Sequence, residues 1–162
     1  MVTGTAAERR QILAKADSED ILLTSYDLLK RDISEYEGYK FRCEIIDEAQ
    51  YIKNANTQAA KAVKEVQADF RLALTGTPVE NRLSELWSIF DYLMPGFLYS
   101  YKKFREEVEI PAVQNSAEDA MKRLQKMIRP FVLRRLKKEV LTDLPDKLEE
   151  NMFVQLTGEQ QK

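Results

Sequence analysis

Residues 41–54, "FRCEIIDEAQYIKN", pass from an apolar run into two adjacent acids and a glutamine. The part ending at Asp47 reads as a buried strand dissolving into a polar loop. Such an ending has two meanings. It is a solvated strand end, or it is a carboxylate pair at the carboxyl edge of a parallel sheet, where ligands bind in open α/β folds. In the second case Asp47 suits Mg²⁺, held directly or through water. Glu48 then suits the orientation or deprotonation of an attacking water in phosphoryl transfer. The pair alone does not decide.

Working outward, short apolar runs alternate with helix-forming stretches. "ILLTSY" (21–26) and "FRLALTG" (70–76) read as further strands, and "MVTGT" (1–5) as a short one. Between them lie "AAERRQILAKA" (6–16) and "IKNANTQAAKAVKEVQ" (52–67), rich in good helix formers. Ala59, Ala60, Val63 and Val66 recur near helical spacing and suit packing on a sheet. This alternation predicts a parallel, helix-covered sheet.

Beyond residue 82 the pattern turns helical. "RLSELWSIFDYLMP" (82–95) sets Leu83, Leu86, Trp87, Phe90 and Leu93 on one face before a Pro–Gly stop. "SYKKFREEVEI" (100–110) reads as a short helix ended by Pro111, and "SAEDAMKRLQKMI" (116–128) opens with a serine cap and two acids. Met121, Leu124, Met127 and Ile128 share a face that Lys122, Arg123, Lys126 and Arg129 largely avoid. "NMFVQLT" (151–157) returns to strand-like alternation.

Composition narrows the chemistry. The 162 residues are 44% hydrophobic and 32% charged, as in one folded domain with a real core. No apolar run is long enough to span a bilayer, and no basic-then-apolar leader opens the chain. There are no histidines, which excludes a His-ligated metal and a Ser–His–Asp triad. The single Cys43 excludes an intramolecular disulfide and reads as a small buried hydrophobe in a reducing, intracellular setting. The net charge of −2 makes no global case for nucleic acid. Locally, however, Met121–Lys138 holds eight basic residues and no acid. Those charges either solvate a helix face or contact phosphates through Arg134, Arg135, Lys137 and Lys138. The aromatic residues Trp87, Phe90, Phe97 and Phe104 read as packing contacts rather than base-stacking platforms.

One crossover helix after the acids comes "LALTGTPVEN" (72–81). This strand enters a turn with hydroxyls at Thr75 and Thr77, a glycine at 76 that permits tight geometry, and Pro78 fixing the exit. The two stretches together resemble motifs II and III of superfamily-two helicases, in the DEAQ and TGTP form similar to the Swi/Snf-type DNA-translocating ATPases. "LLTSYDLLKRD" (22–32) resembles that family's motif Ib region. "LSELWSIFDYLMPGFL" (83–98) resembles the helix after motif III, and "IRPFVLRRLKKEVLTDLPDK" (128–147) the segment leading toward the second lobe.

The resemblance implies an α/β fold: a partial RecA-like sheet of the P-loop NTPase type with flanking helices and a helical protrusion. It implies a partial ATPase lobe over 1–81, the protrusion over 82–141, and a segment toward the second lobe over 142–162. Asp47 is implied as the Mg²⁺ ligand and Glu48 as the water activator. Gln50 would sense the nucleotide, and Thr75, Gly76 and Thr77 would couple hydrolysis to movement. Thr24, Ser25 and Tyr26, with the late basic cluster, would face the DNA backbone.

The sequence also departs from the family. No GxxxxGK[ST] loop occurs, so no phosphate cradle and no phosphate-loop lysine are present. An arginine finger from a second lobe is worth about 10³–10⁵ in rate in related transfers. The chain is therefore expected to be the rear part of a first lobe. It would depend on missing parts of the same polypeptide for ATP and Mg²⁺ chemistry and bind neither tightly alone. Its expected partner is double-stranded DNA, with no membrane. The absent phosphate-loop strand would leave an edge beside Thr75 that invites self-association. A different reading is a non-catalytic DNA- or protein-binding module on a degenerate RecA-like fold.

Overall fold

The computed structural model describes residues 1–76, 82–113 and 117–135. Thr77, Lys137, Lys138 and the strand-like residues 151–157 lie outside the described residues. The chain divides into two compact units, Met1–Leu124 and Gln125–Lys162.

The first unit is built on a parallel pair of strands, β1 (Lys40–Ile46) and β2 (Gln67–Ala73). Glu44 sits opposite Arg71, Ile45 opposite Leu72 and Ile46 opposite Ala73. Helix α3 (Gln58–Glu65) makes the crossover, capped by Thr57, whose hydroxyl accepts from Ala60 N–H at 3.2 Å. The sequence suggested a helix over 52–67. Instead a 3₁₀ turn (Ala49–Ile52) comes first, and α3 starts only at Gln58. Asn54 explains the delay: its side chain accepts from Asn56 N–H at 3.0 Å, holding a turn in place of helix.

Helices α1 (Ala6–Lys15), α2 (Tyr26–Asp32) and α4 (Leu83–Leu93) complete the core of this unit. Leu13, Leu29, Ile46, Ile52, Val63 and Tyr92 are among its buried residues. A capping box starts α1, with Glu8 N–H donating to Thr5 Oγ1 and Thr5 N–H to the Glu8 carboxylate. Arg9 then reaches from α1 to both carboxylate oxygens of Asp32 at the end of α2 and to the Gly4 carbonyl at 2.6 Å. That bidentate pair holds the Asp32 carboxyl below its usual range.

After α4, helix α5 (Tyr101–Phe104) runs through a π turn (Arg105–Glu109) into α6 (Ile110–Val113). Helix α7 (Ala117–Ile128) buries Leu124 and exposes Lys122, Arg123 and Lys126. In the second unit the described chain continues through a 3₁₀ turn (Arg129–Phe131) into non-helical residues ending at Arg135.

Further expectations fail. Residues 21–26 do not form a buried strand: Ile21 is 92% and Leu23 59% exposed, and Tyr26 already begins α2. This segment and residues 1–5 are joined by Val2 N–H donating to Leu23 C=O at 2.8 Å, which is too little to make a ladder. Cys43 is exposed rather than buried, because it points to the face of the sheet that the helices leave open. Pro111 does not end its helix. It lies inside α6, directly after a π turn whose wider ladder relaxes the demand for the missing N–H.

Ile52 is fully buried, and its carbonyl accepts from the buried Ser88 hydroxyl of α4 at 2.6 Å. Ile52→Val should cost about 0.5–1.5 kcal/mol and Ile52→Ala about 2–5 kcal/mol. Chemical denaturation of the two variants checks this.

Candidate active site at the carboxyl edge of the sheet

Two backbone bonds extend the strand pairing past its regular end. Leu74 N–H donates to Ile46 C=O at 2.8 Å, and Ala49 N–H donates to Leu74 C=O at 2.9 Å. They bring the loop after β1 against the residues after β2. Asp47 and Glu48 leave the sheet there with both side chains exposed.

Glu48 adopts a left-handed backbone, φ 51°, which is uncommon for a residue with a side chain. Its N–H is met by Asp47 Oδ1 at 2.8 Å, so the first acid braces the strained peptide of the second. The Glu48 carboxylate accepts from Gln50 Nε2 at 2.6 Å, and the Gln50 amide oxygen accepts from Thr75 Oγ1 at 2.9 Å. A continuous polar chain, Glu48–Gln50–Thr75, therefore links the two strand ends. Gly76 follows with no positive φ and, among the described residues, with nothing where a Cβ would sit.

The Thr24–Ser25–Tyr26 segment approaches the same loop. Thr24 Oγ1 is buried. Ser25 Oγ caps α2 by accepting from Leu28 N–H at 3.3 Å. Tyr26 donates its hydroxyl to the Asp47 main-chain carbonyl at 2.8 Å, and its ring lies 5.5 Å from that of Tyr51. Burial, with Asp47, Glu44 and Glu48 nearby, pushes the Tyr26 hydroxyl up to about 12, so it keeps its proton and donates. The sequence gives no signal for this contact, since nothing in a T-S-Y triplet says which backbone the phenol will meet. Arg134 and Arg135 are exposed in the second unit.

These side chains fit a magnesium–nucleotide site in part. Asp47 is an exposed oxygen donor, and Mg²⁺ bound with a nucleotide needs only one or two carboxylates besides phosphates and water. Among the described residues no cluster of three or more potential ligands would hold a metal unaided.

Beneath the acids, on the helix-covered face, Glu44 and Arg71 form a half-buried cross-strand pair. Arg71 Nε lies 3.4 Å from Glu44 Oε2, without hydrogen-bond geometry at either atom. The rest of the guanidinium donates to the carbonyls of Tyr92 at 2.9 Å, Val66 at 2.7 Å and Lys64 at 3.2 Å. Burial pushes the Glu44 carboxyl up to about 7 against the pull of Arg71. The folded chain thus keeps a proton that the unfolded chain releases near 4.5. Stability from this group is fully present below that value and is lost as pH rises toward about 7. Denaturation midpoints should fall across this window in the wild type relative to Glu44→Gln, which removes the titration.

The family described as SNF2-related domain matches residues 1–162. An uncharacterized ATP-dependent helicase of Mycoplasma genitalium is 42% identical over 159 residues, covering 98% of this chain and 15% of the relative. The TATA-binding protein-associated factor MOT1 of Saccharomyces cerevisiae is 40% identical over 170 residues, covering 98% of this chain and 9% of the relative. Among solved structures, the Sulfolobus solfataricus SWI2/SNF2 ATPase core in complex with dsDNA superposes with a TM-score of 0.73 at 42% identity. That match covers 93% of this chain and 32% of the other. The chain thus spans a small part of the length of the curated relatives it matches.

Proposed function

This chain belongs to the SNF2-related domain family, and on that premise we propose that it supplies the acidic half of an ATP-hydrolysing site to a translocase that moves on double-stranded DNA. The observation that carries the reading is the polar chain Glu48–Gln50–Thr75 joining two parallel strand ends. A solvated strand end has no need of it. In this reading Asp47 holds Mg²⁺ beside the nucleotide and Glu48 orients or deprotonates the attacking water. Gln50 senses the nucleotide, and Thr75, Gly76 and Thr77 pass the signal to movement.

The finer organisation belongs to the same proposal. Residues 1–81 form part of a RecA-like lobe, 82–141 a protrusion, and 142–162 the way toward a second lobe. No phosphate loop occurs in this sequence, so ATP and Mg²⁺ bind productively only with further parts of the same polypeptide, and this chain alone hydrolyses ATP negligibly. The open sheet face supports that dependence. Ile45, Phe70, Leu72 and Leu74 are each more than half exposed on it, whereas parallel sheets are ordinarily covered on both sides. The working place is intracellular, in keeping with a DNA partner.

Thr24, Ser25, Arg134, Arg135, Lys137 and Lys138 contact the duplex backbone in this reading, while the Tyr26 hydroxyl, expected beside them, is taken up by the Asp47 carbonyl. Neutralising Arg134 and Arg135 together should lower the slope of log affinity against log salt by about 2. An unchanged slope would assign these arginines to surface solvation.

The deciding experiment is Glu48→Gln in the full-length protein that carries this chain. Phosphate release in the presence of duplex DNA should fall by about 10²–10⁴, the range for a lost general base, while nucleotide binding persists. Full turnover in the variant would overturn the proposal and favour a non-catalytic binding module.

A further inference from the structure

We infer that Tyr26 is a positioning residue for the two acids, its hydroxyl clamping the Asp47 carbonyl and so fixing the peptide that joins Asp47 to Glu48. Glu48 sits in the left-handed region at φ 51°, a conformation that a side-chain-bearing residue holds only when its surroundings over-determine it. Three contacts do so. Asp47 Oδ1 accepts the Glu48 N–H at 2.8 Å, Leu74 C=O accepts the Ala49 N–H at 2.9 Å, and Tyr26 grips the Asp47 C=O at 2.8 Å. The first is local and the second comes from β2. Only the third comes from the segment ahead of β1, and it acts on the carbonyl of the very peptide whose N–H Asp47 holds.

The ring supports the clamp. It is half-buried at the start of α2, with Ser25 capping that helix and the ring of Tyr51, in the 3₁₀ turn, 5.5 Å away. The phenol is thus set between the start of α2 and the Asp47 carbonyl, so a rotation of α2 would either move that carbonyl or break the bond. This makes Thr24–Ser25–Tyr26 mechanically continuous with the acids. The consequence for turnover rests on the ATPase reading above; the clamp itself does not.

The test uses Tyr26→Phe in the full-length protein, which keeps the ring and deletes only the hydroxyl. Three quantities are read: ATP turnover at saturating nucleotide and duplex DNA, the Kd for duplex DNA, and amide exchange at Glu48 and Ala49. The expected result is turnover lower by roughly five- to tenfold, the scale of one lost hydrogen bond, with duplex affinity within about twofold of wild type. Exchange at Glu48 and Ala49 should accelerate while α3 stays protected.

Wild-type turnover in Tyr26→Phe would overturn the inference. So would weakened DNA binding with full turnover at saturating DNA, which would assign the hydroxyl to a phosphate. If the wild-type protein shows no DNA-stimulated turnover, the ATPase reading falls and exchange alone decides the clamp. Faster exchange at Glu48 and Ala49 then upholds it, and unchanged exchange overturns it.

Discussion

Everything at the candidate site depends on the two bonds that prolong the strand pairing, Leu74 N–H to Ile46 C=O and Ala49 N–H to Leu74 C=O. They are main-chain bonds, so side-chain substitution alone does not delete them. They fix both strand ends in one register, which puts the loop carrying Asp47, Glu48 and Gln50 against Thr75. A slip of β1 by one residue would turn Ile46 outward and bring Ile45 to the helix side. The half-buried pair Glu44–Arg71 would be broken in the same movement. Register and site are therefore one constraint.

The sheet around that constraint is unequal on its two faces. On one side Arg71 gathers the carbonyls of Lys64, Val66 and Tyr92, tying the end of α3 and the end of α4 to the middle of β2. The guanidinium also lies 5.2 Å from the Tyr92 ring. On the other side Ile45, Phe70 and Leu72 meet solvent. A charge and a carboxyl group are thus largely sheltered where helices cover the sheet, while apolar side chains stand exposed on the reverse. Hydrophobicity alone would assign the faces the other way. The helices decide, because α3 as the crossover packs on the face that contains Ile46 and Ala73.

This explains what the sequence made legible. Both strands, the crossover helix between them and α4 were readable because apolar residues recur at the matching period and polar turns bound them. The acids were readable as a candidate site because a strand end followed by D-E, and another by T-G-T, have few structural reasons to occur one crossover apart. Exposure of Cys43 was not readable, since an apolar run looks the same whether one or both of its faces are covered. Residues 21–26 have strand composition without a ladder partner among the described residues, and composition cannot supply one. Glu48 in the left-handed region was illegible for a related reason. Its conformation is imposed by Asp47, Tyr26 and Leu74, two of them distant in sequence.

The Glu48–Gln50–Thr75 chain carries a final constraint that follows from the chemistry of an amide. Gln50 offers donors at Nε2 and an acceptor at Oε1, and both ends are in use, the donor on Glu48 and the acceptor on Thr75. A half-turn of the amide would set oxygen against carboxylate. Gln50 therefore cannot reverse its amide between the two partners without losing both bonds. A glutamate at this position could not donate to Glu48, and an apolar residue would leave both neighbours without this link. In the proposed reading, that fixed polarity lets one side chain touch the water-activating acid and the strand leading to residues 75–77 at the same moment.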